Sequence, residues 1–181
     1  MAAKIKVSTA TLCGCFGCHM SLLDIDERLF ELVKIVEFER TPLTDIKTIG
    51  HCDIGIIEGG VANSENVEVL KEFRKKCDIL IAFGECSIMG GIPAMRNFFS
   101  LKDCLEEAYI HGVTSEIGAN TIPNHEDIPK LLNNVYPCNE VVKIDYHIPG
   151  CPPSADTLWE ILVALLNNKP IDLPYELIKY D

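Results

Sequence analysis

Strand-like and helix-like apolar patterns alternate along most of this chain, and that order restricts what it can fold into. Residues 5–12, 35–39, 54–57, 79–83 and 141–148 are apolar, largely β-branched runs with the length of strands. Between them lie helical spacings. Leu22, Ile25, Leu29, Leu32 and Val36 fall on one face of a helix expected to begin near Ser21, with Val36 at the boundary of the next strand. Ser64 is expected to cap a helix carrying Val67, Leu70, Phe73 and Cys77 on one face. Ser154 is expected to cap a last helix with Leu158, Ile161, Leu162, Leu165 and Leu166. Residues 92–111 read as largely helical, with a break near Phe99 and Ser100. Residues 114–139 are polar and interrupted by Pro123, Pro129 and Pro137, which leaves room for short helical pieces only. No repeat, low-complexity tract or linker divides the chain. The expectation is an α/β fold: one flavodoxin-like domain over residues 1–181, with a doubly wound, mostly parallel sheet.

In such a sheet the loops at the carboxyl ends of the strands share one edge, where ligands bind. Three of those loops carry cysteine: Cys15 and Cys18 after the first strand, Cys86 after 79–83, and Cys151 after 141–148. Four thiolates from three distant segments suit a metal, most plainly an iron–sulfur cluster. Cys-x-x-Cys alone is shared with zinc and thiol-redox sites; three cysteine loops at strand ends form a stronger signal. Glycines surround these loops, and Pro152 and Pro153 stiffen the chain after Cys151. Cys13 is placed in the core at a strand end, although its spacing to Cys15 and Cys18 also permits chelation. Cys52, Cys77, Cys104 and Cys138 read as structural thiols.

Three further residues share that edge. Glu58 ends an apolar strand, where a carboxylate needs a partner; it either accepts from loop N–H groups or transfers protons. His19 reads as a first-turn helix residue, with proton relay or cluster hydrogen bonding as the other role. Glu85 reads as a solvated or loop-capping acid.

The chain carries 16 basic and 27 acidic residues, a net charge of −11, which argues against broad nucleic-acid binding. No apolar run approaches the roughly 20 residues of a membrane helix, and no secretory signal pattern is visible at the start. A soluble intracellular protein is expected, and its nine cysteines are not expected to form structural disulfides.

The segments Cys15-Phe16-Gly17-Cys18-His19-Met20-Ser21, Ile57-Glu58-Gly59-Gly60, Gly84-Glu85-Cys86 and Pro149-Gly150-Cys151-Pro152-Pro153 resemble the small subunit of [NiFe] hydrogenases, over roughly residues 4–169. Within that family the chain looks most like the short delta subunit of cytoplasmic, NAD-reducing bidirectional enzymes. The resemblance implies that Cys15, Cys18, Cys86 and Cys151 hold one proximal [4Fe–4S] cluster. It implies electron transfer between the Ni–Fe centre of a large subunit and diaphorase subunits carrying FMN, further clusters and the NAD site. Gly14 separates Cys13 from Cys15, whereas the related respiratory complex I subunit has adjacent cysteines there. The acceptor stays open, since a complex I-like assembly uses another one. An FMN-binding flavodoxin-like module and a structural zinc protein are the other readings. Residues 90–99, with Ile92, Met95 and Phe98, are expected to anchor a large subunit or to pack in a helix core.

Overall fold

A computed structural model describes residues 4–114, 121–167 and 169–178. The elements run β1 (Ile5–Thr11), α1 (Gly17–Leu23), α2 (Leu29–Ile35), β2 (Val36–Phe38), β3 (Cys52–Glu58), β4 (Val61–Asn63), α3 (Ser64–Lys76) and β5 (Cys77–Phe83). They continue with α4 (Glu85–Met89), a 3-10 helix (Ile92–Phe98), α5 (Leu101–Tyr109), β6 (Leu131–Tyr136), β7 (Tyr146–Ile148), α6 (Ala155–Leu166) and α7 (Tyr175–Ile178). Five strands pair in parallel in the order β2-β1-β3-β5-β7. This is the doubly wound arrangement expected from the alternating pattern, and it brings the carboxyl ends of β1, β3, β5 and β7 to one edge.

Both faces of the sheet are covered, which explains the near-continuous apolar runs 54–57 in β3 and 79–83 in β5, whereas β1 carries Ser8, Thr9 and Thr11 among its apolar residues. Ile54, Ile56, Ile81 and Phe83 pack with Leu22, Ile25, Leu32, Leu158 and Leu162 on one face. Ala10, Ile57 and Leu80 pack with Leu70, Phe73 and Cys138 on the other. Ser154 caps α6 as expected, its hydroxyl accepting from Thr157 N. The break before α5 also falls at Phe99 and Ser100. No helix among the described residues is long and apolar enough to cross a membrane.

Five local expectations are corrected. Helix α1 starts at Gly17 rather than Ser21; Ser21 instead donates its hydroxyl to Pro153 O, tying α1 to the loop after Cys151. The cap of α3 is Asn63, whose side chain accepts from Asn66 N, while Ser64 accepts from Lys130 N. The stretch expected to hold short helical pieces contains β6, which pairs antiparallel with β4 in a second small sheet; residues 115–120 of that stretch lie outside the described residues. Arg96 donates to Leu132 O and Asn133 O, and the Asn97 side chain bonds Val135 N and O. Side chains thus satisfy backbone that an apolar period would not flag.

The fourth correction is the length of β7. Only Tyr146–Ile148 is strand, because a 3-10 turn (Cys138–Glu140) and the Asp145 carboxylate, which accepts from Leu80 N, occupy the residues before it. The fifth concerns Cys52 and Cys77. They are register partners at the starts of β3 and β5, with Cα atoms 4.7 Å apart, and their sulfurs are bonded. A separation of 25 residues in sequence hides a proximity that strand register creates.

Phe73 is fully buried on the α3 face, with the Arg40 guanidinium 5.4 Å from its ring centre. Phe73→Ala is expected to destabilise the chain by about 3–5 kcal/mol, read as a lowered urea midpoint with an unchanged slope.

Candidate metal centre

Each of four strands delivers one segment of the site. Cys15 and Cys18 follow β1, Glu58 ends β3, Cys86 lies in α4 directly after β5, and Cys151 follows β7. All five residues line one cavity of about 120 Å³. The loop after β1 turns sharply at Phe16, whose φ of 69° is left-handed and caps α1. For a bulky residue that conformation costs roughly 1–2 kcal/mol. It is held in part by Phe16 stacking on His19, with ring centres 4.7 Å apart. The turn brings both cysteines of Cys-x-x-Cys onto the same cavity.

The site fits an iron–sulfur cluster. Backbone comes close to the cysteine sulfurs where glycine permits it. A Cβ on Gly84 would collide with Cys18 Sγ, and one on Gly91 would lie 2.9 Å from Cys86 Sγ. Burial pushes the Cys18 thiol far up, and the Glu58 carboxylate beside it adds to the effect. Burial also pushes Cys86 up, with Cys151 and Cys15 adding their repulsion. Thiolates crowded this way need cationic metal to hold their charge, and four of them match the ligand count of a [4Fe–4S] centre.

Glu58 is only 2% exposed and sits in a network of donors. Thr11, its register partner on β1, donates its hydroxyl to Oε1 at 2.6 Å. His19 N donates to Oε2 at 2.9 Å. His19 Nδ1 lies 3.2 Å from the same oxygen but makes no well-aligned hydrogen bond, so the backbone bond is the firmer one. His19 Nε2 pairs with Thr9 Oγ1 at 2.8 Å. Burial raises the Glu58 pKa, yet the His19 ring beside it, the Thr11 hydroxyl and the His19 N–H together outweigh it and leave the carboxyl below its ordinary value. Of the two roles weighed for Glu58, the capping one is visible in a single backbone N–H, that of His19 in the first turn of α1, and the His19 ring pairs with the Thr9 side chain rather than with backbone.

Thr9 and Thr11 were missed by sequence reasoning. A partial signal was present, since two hydroxyls spaced i, i+2 on a strand face one side, but only Thr9 is buried and needs a partner, while Thr11 is exposed at the strand end. Glu85 is a loop-capping acid, accepting from Gly150 N. Cys13 does not line the cavity. It is part-buried, forms an isolated bridge with Gly60, and burial raises its thiol pKa against the pull of Arg96. Cys138 is buried and points at Gly59 O, with its pKa pushed up to about 12 by burial; Cys104 is part-buried on α5.

Similarity to known proteins spans the same loops. Residues 15–165 match the family described as NADH ubiquinone oxidoreductase, 20 Kd subunit. The chain is 54% identical over 180 residues to the delta subunit of the NAD-reducing hydrogenase HoxS of Cupriavidus necator, covering 98% of this chain and 86% of that relative. It is 41% identical to a subunit of the F420-non-reducing hydrogenase of Methanothermobacter marburgensis, covering 96% of this chain but only 57% of that longer relative. A chain in the crystal structure of an NAD+-reducing [NiFe]-hydrogenase in the H2-reduced state superposes with a TM-score of 0.95 at 47% identity, covering 99% of this chain and all of that one.

The depressed pKa of Glu58 sets the sign of an acid effect. Its stabilisation is present above the unfolded carboxyl pKa of about 4.3 and is lost as pH falls through the lower folded value. Thr11→Val is expected to remove about 1.5–3 kcal/mol at neutral pH and to flatten the loss on acidification. Urea unfolding at a series of pH values checks both; an unchanged pH dependence would contradict the network.

Proposed function

As a member of the NADH ubiquinone oxidoreductase 20 Kd subunit family with hydrogenase delta-subunit relatives, this chain is, we propose, the electron-relaying small subunit of an NAD-reducing [NiFe] hydrogenase. The observation that carries the reading is the single cavity lined by Cys15, Cys18, Cys86 and Cys151. Those cysteines hold one [4Fe–4S] cluster, which supplies one-electron transfer when bound. The chain's own part is to fix the four sulfurs and bring backbone close to them; Cys15 and Cys151 are exposed, so covering the site from water falls to a partner. Neither a dinucleotide fingerprint nor a second Cys-x-x-Cys pair is present in the sequence. The Ni–Fe centre therefore belongs to a large subunit, and FMN and NAD to diaphorase subunits. The assembly works in the cytoplasm.

The surface beside the cavity supports a partner. Ile92, Met95 and Phe98 are 70%, 62% and 85% exposed on the 3-10 helix that follows α4, which excludes the helix-core reading. Met89 and Phe99, which flank this helix in sequence, are exposed as well. We assign these residues, with the cysteine loops, to the large-subunit contact. Aromatic and methionine side chains of this kind are enriched in interface cores.

Glu58 is proposed as the proton-handling residue at this edge. It is buried beside Cys18 and linked through His19 to Thr9. Glu58→Gln keeps the shape and removes the acid, so hydrogen turnover in the complex should fall while iron content holds. Unchanged turnover and hydrogen–deuterium exchange across pH would remove Glu58 from proton transfer.

The ligand assignment is tested by substitution within the whole complex. Cys15→Ala, Cys18→Ala, Cys86→Ala and Cys151→Ala should each lose or badly damage the cluster, whereas Cys104→Ala leaves it intact. A normal [4Fe–4S] spectrum in Cys86→Ala or Cys151→Ala would refute the assignment. Phe98→Asp should weaken assembly by about 2 kcal/mol or more, seen as loss of the large subunit on co-purification.

A further inference from the structure

The ladder between β5 and β7 does not stop where the strands do. Gly84 N donates to Ile148 O at 2.8 Å, and Glu85 N donates to Gly150 O at 2.9 Å. The next bond is made by a side chain: Gly150 N donates to Glu85 Oε1 at 2.9 Å. Glu85 and Gly150 thus exchange two hydrogen bonds, one in each direction. Each residue immediately precedes a cysteine, Cys86 in one loop and Cys151 in the other. The pair is the last cross-link between β5 and β7 before Cys86 and Cys151, which line the cavity together with Glu85.

The other carboxylate oxygen carries a second clue. Glu85 Oε2 is buried with no hydrogen-bond partner. A buried polar atom left unpaired is costly. No salt bridge engages Glu85 among the described residues, so its charge has no evident use there. What the side chain supplies is reach and one acceptor. Aspartate is one methylene shorter, so its carboxylate falls short of Gly150 N unless the two loops shift; glutamine keeps both the length and the carbonyl oxygen.

We propose that Glu85 is a positioning residue whose Oε1 stands in for a missing strand acceptor and sets the separation of the Cys86 and Cys151 sulfurs. The inference rests on the four-cysteine cluster reading above. It predicts an order of tolerance decided by side-chain length and acceptor rather than by charge.

The test compares Glu85→Ala, Glu85→Asp and Glu85→Gln in the complete complex, expressed with its partner subunits. The iron and the reduced-state EPR signal belonging to this chain are isolated as the difference between the wild-type and Cys151→Ala complexes. Glu85→Ala and Glu85→Asp should lose most of that iron or alter the line shape. Glu85→Gln should restore both to wild type. Glu85→Ala with wild-type iron and line shape would overturn the proposal while leaving the cluster reading intact. So would rescue by aspartate but not glutamine, which would assign the role to charge, and so would equal damage in all three variants. If the wild-type complex shows no Cys151-dependent iron signal, the cluster reading itself fails, and the Glu85 proposal falls with it.

Discussion

A buried carboxylate holds the first cysteine loop onto the sheet. Glu58, at the end of β3, accepts from Thr11 on the neighbouring strand and from His19 N in the first turn of α1. Those bonds cross from the strand edge to the segment that contains Cys15 and Cys18. A charge with 2% exposure is tolerable only because donors surround it. The left-handed backbone at Phe16 is held by the same anchorage together with the stack of Phe16 on His19.

The other two cysteine loops are held by different means. Cys86 enters on α4, whose approach to the neighbouring loops passes through glycines at 84 and 91. Cys151 is fastened by the Glu85–Gly150 exchange and by Ser21 reaching Pro153 O. Each loop therefore leans on another one: α1 on β3 and the last loop, β5 on β7. The sulfurs converge because the loops are bonded to one another, not because any single loop is rigid. That interdependence is a physical form of preorganisation for the proposed cluster, whose four cysteines come from distant sequence.

Much of this was legible in the sequence, for identifiable reasons. Continuous apolar runs such as 79–83 and helical spacing such as Leu158, Ile161 and Leu162 report burial directly, so the parallel sheet and its shared edge followed. Cysteines directly after such runs then fell on that edge. What was not legible depends on tertiary partners. Strand β6 is held by Arg96 and Asn97 side chains from another element. The Cys52–Cys77 pairing needs the β3–β5 register. The roles of Thr9 and Thr11 need to know which residue lies opposite, and capping by Asn63 rather than Ser64 is a one-residue choice between two good caps.

The central claim is that one iron–sulfur cluster sits in the cavity between the four strand ends. Anomalous diffraction at the iron edge from crystals of the intact complex tests it most directly. The expected result is one four-iron density in this chain, bonded to the sulfurs of Cys15, Cys18, Cys86 and Cys151. Iron density absent from that cavity, or a single metal ion bound there in place of a cluster, would contradict it.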